Sequence, residues 1–145
     1  MRPVPPPELV IFDCDGVLVD SEPISMAVLI EMIGDAGATI SEEEAYERFL
    51  GKSLASICDI LRTDFGLMMQ PIHLEGMRER LYSRFARELQ PVRGAAAALA
   101  ALKAMGCRDC VASSSQPERV RLSLSVTGLL DELGGHIFSA TMVDR

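Results

Sequence analysis

Two carboxylates spaced two residues apart, Asp13 and Asp15, close the apolar run Leu9-Val10-Ile11-Phe12 and are followed at once by Gly16. Side chains alternate along a strand, so the two acids start out toward the same side, and the glycine lets the chain turn and a ligand approach the backbone. Paired acids at such a turn suit phosphate chemistry. One carboxylate attacks phosphorus to give an acyl phosphate, while the other gives a proton to the leaving oxygen and later takes one from water. Two carboxylates and a phosphate dianion repel one another, so a hard cation such as Mg²⁺, bound through oxygens of Asp13 and Asp15, belongs to the same reading.

A second apolar run, Asp109-Cys110-Val111-Ala112-Ser113, also ends in hydroxyls, continuing through Ser114 and Ser115. A serine at a strand end can donate to phosphate while the next helix offers its positive N-terminus. Ser113 and Ser114 are therefore candidate phosphate ligands alongside Gly16. Ser115 reads instead as the cap of the following helix, with Pro117 in its first turn and Glu118 completing a capping box.

The elements that would position these groups fall into two stretches. From Glu22 to about Glu88 the pattern is helical: Met26, Leu29, Ile30 and Ile33 recur at helical spacing, and Ser41-Glu42-Glu43-Glu44 has the form of a capping box before Tyr46, Phe49 and Leu50. Gly51 closes that helix, a third carries Leu54, Ile57, Cys58 and Leu61, and a fourth carries one apolar stripe, Leu74, Met77, Leu81, Phe85 and Leu89. Four such helices make a small bundle. After the connector Pro91-Val92-Arg93-Gly94, an alanine-rich helix runs from Ala95 to Met105, followed by the strand at Asp109–Ser113, a helix after Ser115 and a strand at His136–Ser139. Strand, helix, strand, helix, strand predicts a parallel sheet. The fold class expected is α/β, a Rossmann-like parallel-sheet core formed by 1–21 and 89–145, with an inserted all-α four-helix cap over 22–88. A long insertion at the carboxyl end of a strand lies over the ligand site of an open parallel sheet, and its opening and closing about connectors near 17–22 and 88–94 would admit substrate and exclude water.

The chain has 145 residues, 48% of them hydrophobic, and a net charge of −7, with a mean hydropathy of +0.20 and a pI of about 4.8. Such a chain folds around a core, and its acidity offers no basic surface to nucleic acid or anionic membrane. No segment reaches transmembrane length, and the leader Met1-Arg2-Pro3-Val4-Pro5-Pro6-Pro7-Glu8 lacks the apolar core of a signal peptide, so a cytoplasmic address is expected. Cys14, Cys58, Cys107 and Cys110 then read as reduced thiols, and the Cys107/Cys110 pair lacks the second pair or histidine that a zinc site needs. His73 and His136 have no catalytic context.

The string Phe12-Asp13-Cys14-Asp15-Gly16-Val17-Leu18-Val19-Asp20-Ser21-Glu22 resembles the first motif of the haloacid dehalogenase-like (HAD) hydrolase superfamily, Asp-x-Asp-Gly-(Val/Thr), as written in its phosphatase and mutase branches. The resemblance implies Asp13 as nucleophile and Asp15 as general acid/base, with the Asp15 backbone carbonyl also at the metal. It implies Ser113 as the hydroxyl of the second motif. The helical insert is similar to the cap of the beta-phosphoglucomutase-like branch, in which the turn holding Gly51 and Lys52 would read the substrate. The dehalogenases proper lack the second aspartate, so Asp15 argues against carbon–halogen cleavage.

After Ile137-Phe138-Ser139-Ala140-Thr141-Met142-Val143-Asp144-Arg145 relatives usually read Gly-Lys-Pro and, later, further metal carboxylates. By this resemblance the core is incomplete at the C-terminus, the chain alone is impaired, and the first strand has an uncovered edge open to self-association. The activity implied is a Mg²⁺-dependent phosphatase for a small phosphorylated metabolite, a sugar phosphate or phosphogluconate-like acid. A sugar-phosphate mutase is the alternative; Ser25 and Leu54 stand where such mutases tend to carry histidine and arginine. A phosphonate hydrolase is weaker, because Lys52 is offset from the lysine it would need. A fragment retaining only phosphate binding or association is the noncatalytic alternative.

Overall fold

The computed structural model describes residues 5–133 and 136–143; the start of the leader and Asp144 lie outside them. The chain divides into two compact units, one formed by Glu22–Arg84 and the other by Met1–Ser21 together with Phe85–Arg145.

The α/β unit is built on a three-stranded parallel sheet in the order β1-β2-β3, comprising β1 (Leu9–Phe12), β2 (Arg108–Ser113) and β3 (Ile137–Ser139). β1 is rich in branched and aromatic side chains that suit a pleated surface. Phe12 pairs with Val111 and Ser113 with Ser139, so Asp13, Ser113 and Ser139 arrive at the same, carboxyl end of the sheet. Leu9 and Ile11 of β1 are 45% and 62% exposed.

The helices are α1 (Glu22–Asp35), α2 (Glu42–Phe49), α3 (Leu54–Asp64), α4 (Pro71–Glu88), α5 (Ala95–Ala104) and α6 (Pro117–Val126). α1 to α3 and most of α4 form the helical unit. Its core gathers Met26, Leu29, Met32, Ile33, Ile40, Phe49, Ile57 and Leu61, with Leu74 and Met77 of α4 packed against them. The apolar stripe of α4 is therefore divided: its early members serve the helical unit, whereas Phe85 and Leu89 are buried residues of the α/β unit. Leu54, which the spacing places on the apolar stripe of α3, is exposed, and Ile57 and Leu61 carry that helix's burial.

Ser41 caps α2 by accepting from the Glu44 N–H. Glu44 does not reach back to complete a capping box; its carboxylate pairs with Arg48 one turn on. Ser53 caps α3 in the same way, and at α4 the Gln70 N–H donates to His73 Nδ1 over 3.1 Å, which gives that histidine a structural task. Buried side chains of the α/β unit include Leu18, Val19, Leu99, Val111, Val120 and Leu124. All four cysteines are free thiols. No helix among the described residues is long and apolar enough to cross a membrane.

Candidate active site

The chain leaves β1 in a tight turn. The Cys14 carbonyl accepts from the N–H groups of Val17, Leu18 and Val19 at 3.3, 2.9 and 3.2 Å, and the Gly16 N–H donates to the Val19 carbonyl over 2.9 Å. Gly16 sits at φ +75°, a conformation that a side chain would oppose. The two connectors then run side by side: the Asp20 N–H donates to Gln90 O and the Val92 N–H to Leu18 O, both at 2.9 Å.

Asp13 is exposed and accepts from the Cys14 N–H at 2.7 Å. With Ala112, Ser113, Ser114, Phe138, Ser139 and Ala140 it lines an open cleft of about 430 Å³. The structure thus brings Asp13 to the same cleft as Ser113 and Ser114, the first of which is buried and the second exposed. Gly51 and Lys52 belong to the helical unit, both exposed in the turn between α2 and α3, where Gly51 has φ +74° and the Lys52 N–H donates to Phe49 O.

Asp15 has a different environment. Oδ1 accepts from the Ser21 hydroxyl at 2.7 Å and from Arg119 Nη2 at 3.0 Å, and Oδ2 accepts from the Ser115 hydroxyl at 2.7 Å. Burial alone would raise the Asp15 carboxyl, but the Arg119 guanidinium and the two hydroxyls outweigh it and hold its pKa below the ordinary aspartate value. Between the two acids, Cys14 is fully buried and its thiol is pushed up to about 12, first by burial and then by the negative charge of Asp15, against the opposing pull of Arg119. A thiol in that state is protonated and a poor nucleophile at neutral pH.

Ser115 is the main departure from the sequence expectation. The residue capping α6 is Gln116, which makes no side-chain capping bond; Ser115 donates its hydroxyl to Asp15 instead, because the part-buried carboxylate is a strong, charged acceptor. Its backbone is tied on both sides: its N–H donates to Ser113 Oγ at 3.1 Å, and its carbonyl accepts from the Ser139 hydroxyl at 2.7 Å. Ser139 in turn accepts from the Thr141 N–H at 3.2 Å. Sequence reasoning missed Ser21, Ser115, Arg119 and Ser139 as members of this network. Arg119 left one signal, a cation in the first turn of a helix, where the positive helix end prefers an anion.

The open α/β sheet presents an exposed aspartate, a turn glycine and serine hydroxyls at the carboxyl ends of adjacent strands, where open parallel sheets bind their ligands. The chain belongs to the haloacid dehalogenase-like hydrolases, whose family pattern it matches over residues 7–145. It is 32% identical over 139 residues to a 6-phosphogluconate phosphatase of Escherichia coli (strain K12), a match that covers 95% of this chain and 62% of that protein. The crystal structure of a conserved haloacid dehalogenase-like protein of unknown function from Agrobacterium tumefaciens superposes with a TM-score of 0.80 at 33% identity, over 95% of this chain and 61% of that one. A HAD family hydrolase from Deinococcus radiodurans R1, solved with bound phosphate and sodium, gives 0.72 at 29% identity over 93% of this chain and 58% of that one. The chain therefore spans about three fifths of the length of these relatives.

Proposed function

We propose that this chain carries the nucleophile and the acid/base of a phosphatase acting on a small phosphorylated sugar or sugar acid. The observation that carries the reading is the shared cleft: an exposed carboxylate, Asp13, faces the same space as Ser113 and Ser114. The similarity to a 6-phosphogluconate phosphatase and to a hydrolase with bound phosphate supports the substrate class.

Asp13 attacks phosphorus, forming the acyl–phosphate bond as the ester oxygen leaves. Ser113 and Ser114 donate hydroxyls to the phosphoryl oxygens, and the turn at Gly16 leaves the backbone open to close approach. Asp15 protonates the leaving oxygen and then takes a proton from the water that cleaves the acyl phosphate. Held ionised by Arg119, it is prepared for the second of these steps. For the first it needs a proton, and the negative charge of an arriving phosphate opposes the Arg119 field and favours proton uptake.

The donor set suits Mg²⁺ in part. The Asp13 carboxylate is exposed and the Asp15 backbone carbonyl is a second hard oxygen, whereas the Asp15 side chain is committed to Ser21, Ser115 and Arg119. Among the described residues no three His, Cys, Asp or Glu side chains group around one point. Bound through Asp13 and the Asp15 carbonyl, the ion would neutralise charge on the transferring group. In the helical unit Lys52 is exposed in the turn between α2 and α3, and it is the candidate there for contact with an anionic group.

The test is turnover of 6-phosphogluconate and sugar phosphates with and without Mg²⁺, combined with trapping of the intermediate by hydroxylamine. Asp13→Asn is expected to abolish both turnover and the hydroxylamine-labile phosphoprotein, since the amide is a poor nucleophile. Undiminished turnover in that variant would refute the assignment.

A further inference from the structure

A carboxylate at a strand end turns about two side-chain torsions, and proton exchange with a bound oxygen works only in a narrow range of them. Donors on one oxygen alone leave the group free to pivot; donors on both fix its plane. Asp15 has Ser21 and Arg119 on Oδ1 and Ser115 on Oδ2. The hydroxyls are small and neutral, so Arg119 supplies the one ion pair of the three.

Arg119 is itself held. Its guanidinium carbon lies 5.3 Å from the centroid of the Phe85 ring, which is fully buried in the last turns of α4. A cation lying over an aromatic face and bonded to a carboxylate has little freedom to swing away. The position also runs against local preference, since the first turn of α6 favours negative charge. Asp15 supplies the cation there with a carboxylate partner.

We propose that Arg119, braced by Phe85, is the positioning residue for Asp15, fixing the plane of the carboxylate that exchanges protons with the leaving oxygen and with water. This rests on the phosphatase reading above. Arg119 touches neither phosphate nor metal in this role; it acts through Asp15.

The test compares Arg119→Gln, Arg119→Lys and Phe85→Leu, with Arg119→Gln also placed in an Asp15→Asn background, by steady-state kinetics on a phosphorylated sugar acid and by urea unfolding. Arg119→Gln is expected to lower kcat by about 100-fold, the loss typical of a small misplacement of a reacting group, with KM little changed. Arg119→Lys should restore part of that loss because it keeps the charge, and Phe85→Leu should fall between the parent and Arg119→Gln. With Asp15→Asn already present, Arg119→Gln should cost no further kcat. Equal kcat losses in the two backgrounds would overturn the proposal, as would losses in the Gln and Lys variants that simply follow their urea midpoints. Full Asp13-dependent turnover in Arg119→Gln would overturn the proposal alone, whereas turnover that does not depend on Asp13 would remove the phosphatase reading and this role together.

Discussion

The helical unit and the α/β unit use charge in opposite ways. In the helical unit the ion pairs lie on the surface: Arg48 bonds Glu44 and Asp64, Arg62 bonds Asp59, and Arg80 and Arg84 reach from α4 to Glu31 and Asp35 on α1. Beneath them the core is apolar. In the α/β unit the pair Arg119–Asp15 has only 24% and 25% of its side chains exposed and is embedded among the hydroxyls of Ser21 and Ser115. Exposed pairs compete with water and can be exchanged at little cost, whereas a carboxylate withdrawn from water depends on every donor it meets. One unit is thus a packed scaffold with a tolerant surface, and the other concentrates its polar demands at the end of β1.

The comparison is broken most directly at the helical core. Phe49 is 2% exposed within the apolar cluster, and Phe49→Ala is expected to destabilise the unit by about 3–5 kcal/mol in urea unfolding, with the polar network around Asp15 untouched. A loss no larger than that of a surface substitution would show that packing does not dominate there.

The pH profile of stability sharpens the contrast from the other side. Asp15 has a lowered pKa, so its contribution is fully present above the ordinary aspartate value of 3.8 and is lost as pH falls through its folded value. Cys14 has a raised pKa, so stability is retained below its ordinary value of 9.0 and declines as pH climbs from there toward about 12. Asp15→Asn should flatten the acid limb and Cys14→Ala the alkaline limb, as read by thermal unfolding across pH. Unaltered limbs would mean that neither group is linked to folding.

The smallest effect belongs to the surface. Arg62→Ala removes a 3.4 Å pair whose side chains are 57% and 73% exposed, and it is expected to change stability by less than about 1 kcal/mol, diminishing with added salt. A larger loss would place the exposed pairs of the helical unit on the same footing as Arg119–Asp15.

Much of this architecture is legible along the chain. The run Leu9–Phe12 followed by Asp13, Asp15 and Gly16 announces a strand end with a turn, and Ser41 marks a helix start, because strand alternation and capping are local effects whose causes sit within a few residues. The parallel pairing of β1, β2 and β3 follows from the alternation of strand and helix. The division of the α4 stripe was not legible, since Leu74 and Phe85 satisfy one helical period whatever they pack against. Ser115 shows the same limit: its sequence neighbours describe a helix cap, but the acceptor that claims its hydroxyl lies 100 residues earlier in the chain.

The sequence by itself determined that two acids and a glycine stand at the end of a strand and that a helical insert follows them, because residue type and short-range periodicity act on the backbone directly. Only the tertiary structure decided what surrounds each acid. Asp13 is exposed in a cleft with Ser113 and Ser114, whereas Asp15 is bound by Ser21, Ser115 and Arg119. The electrostatic state of a carboxylate is set by the groups within a few ångströms of it, and folding brings those groups from distant parts of the chain.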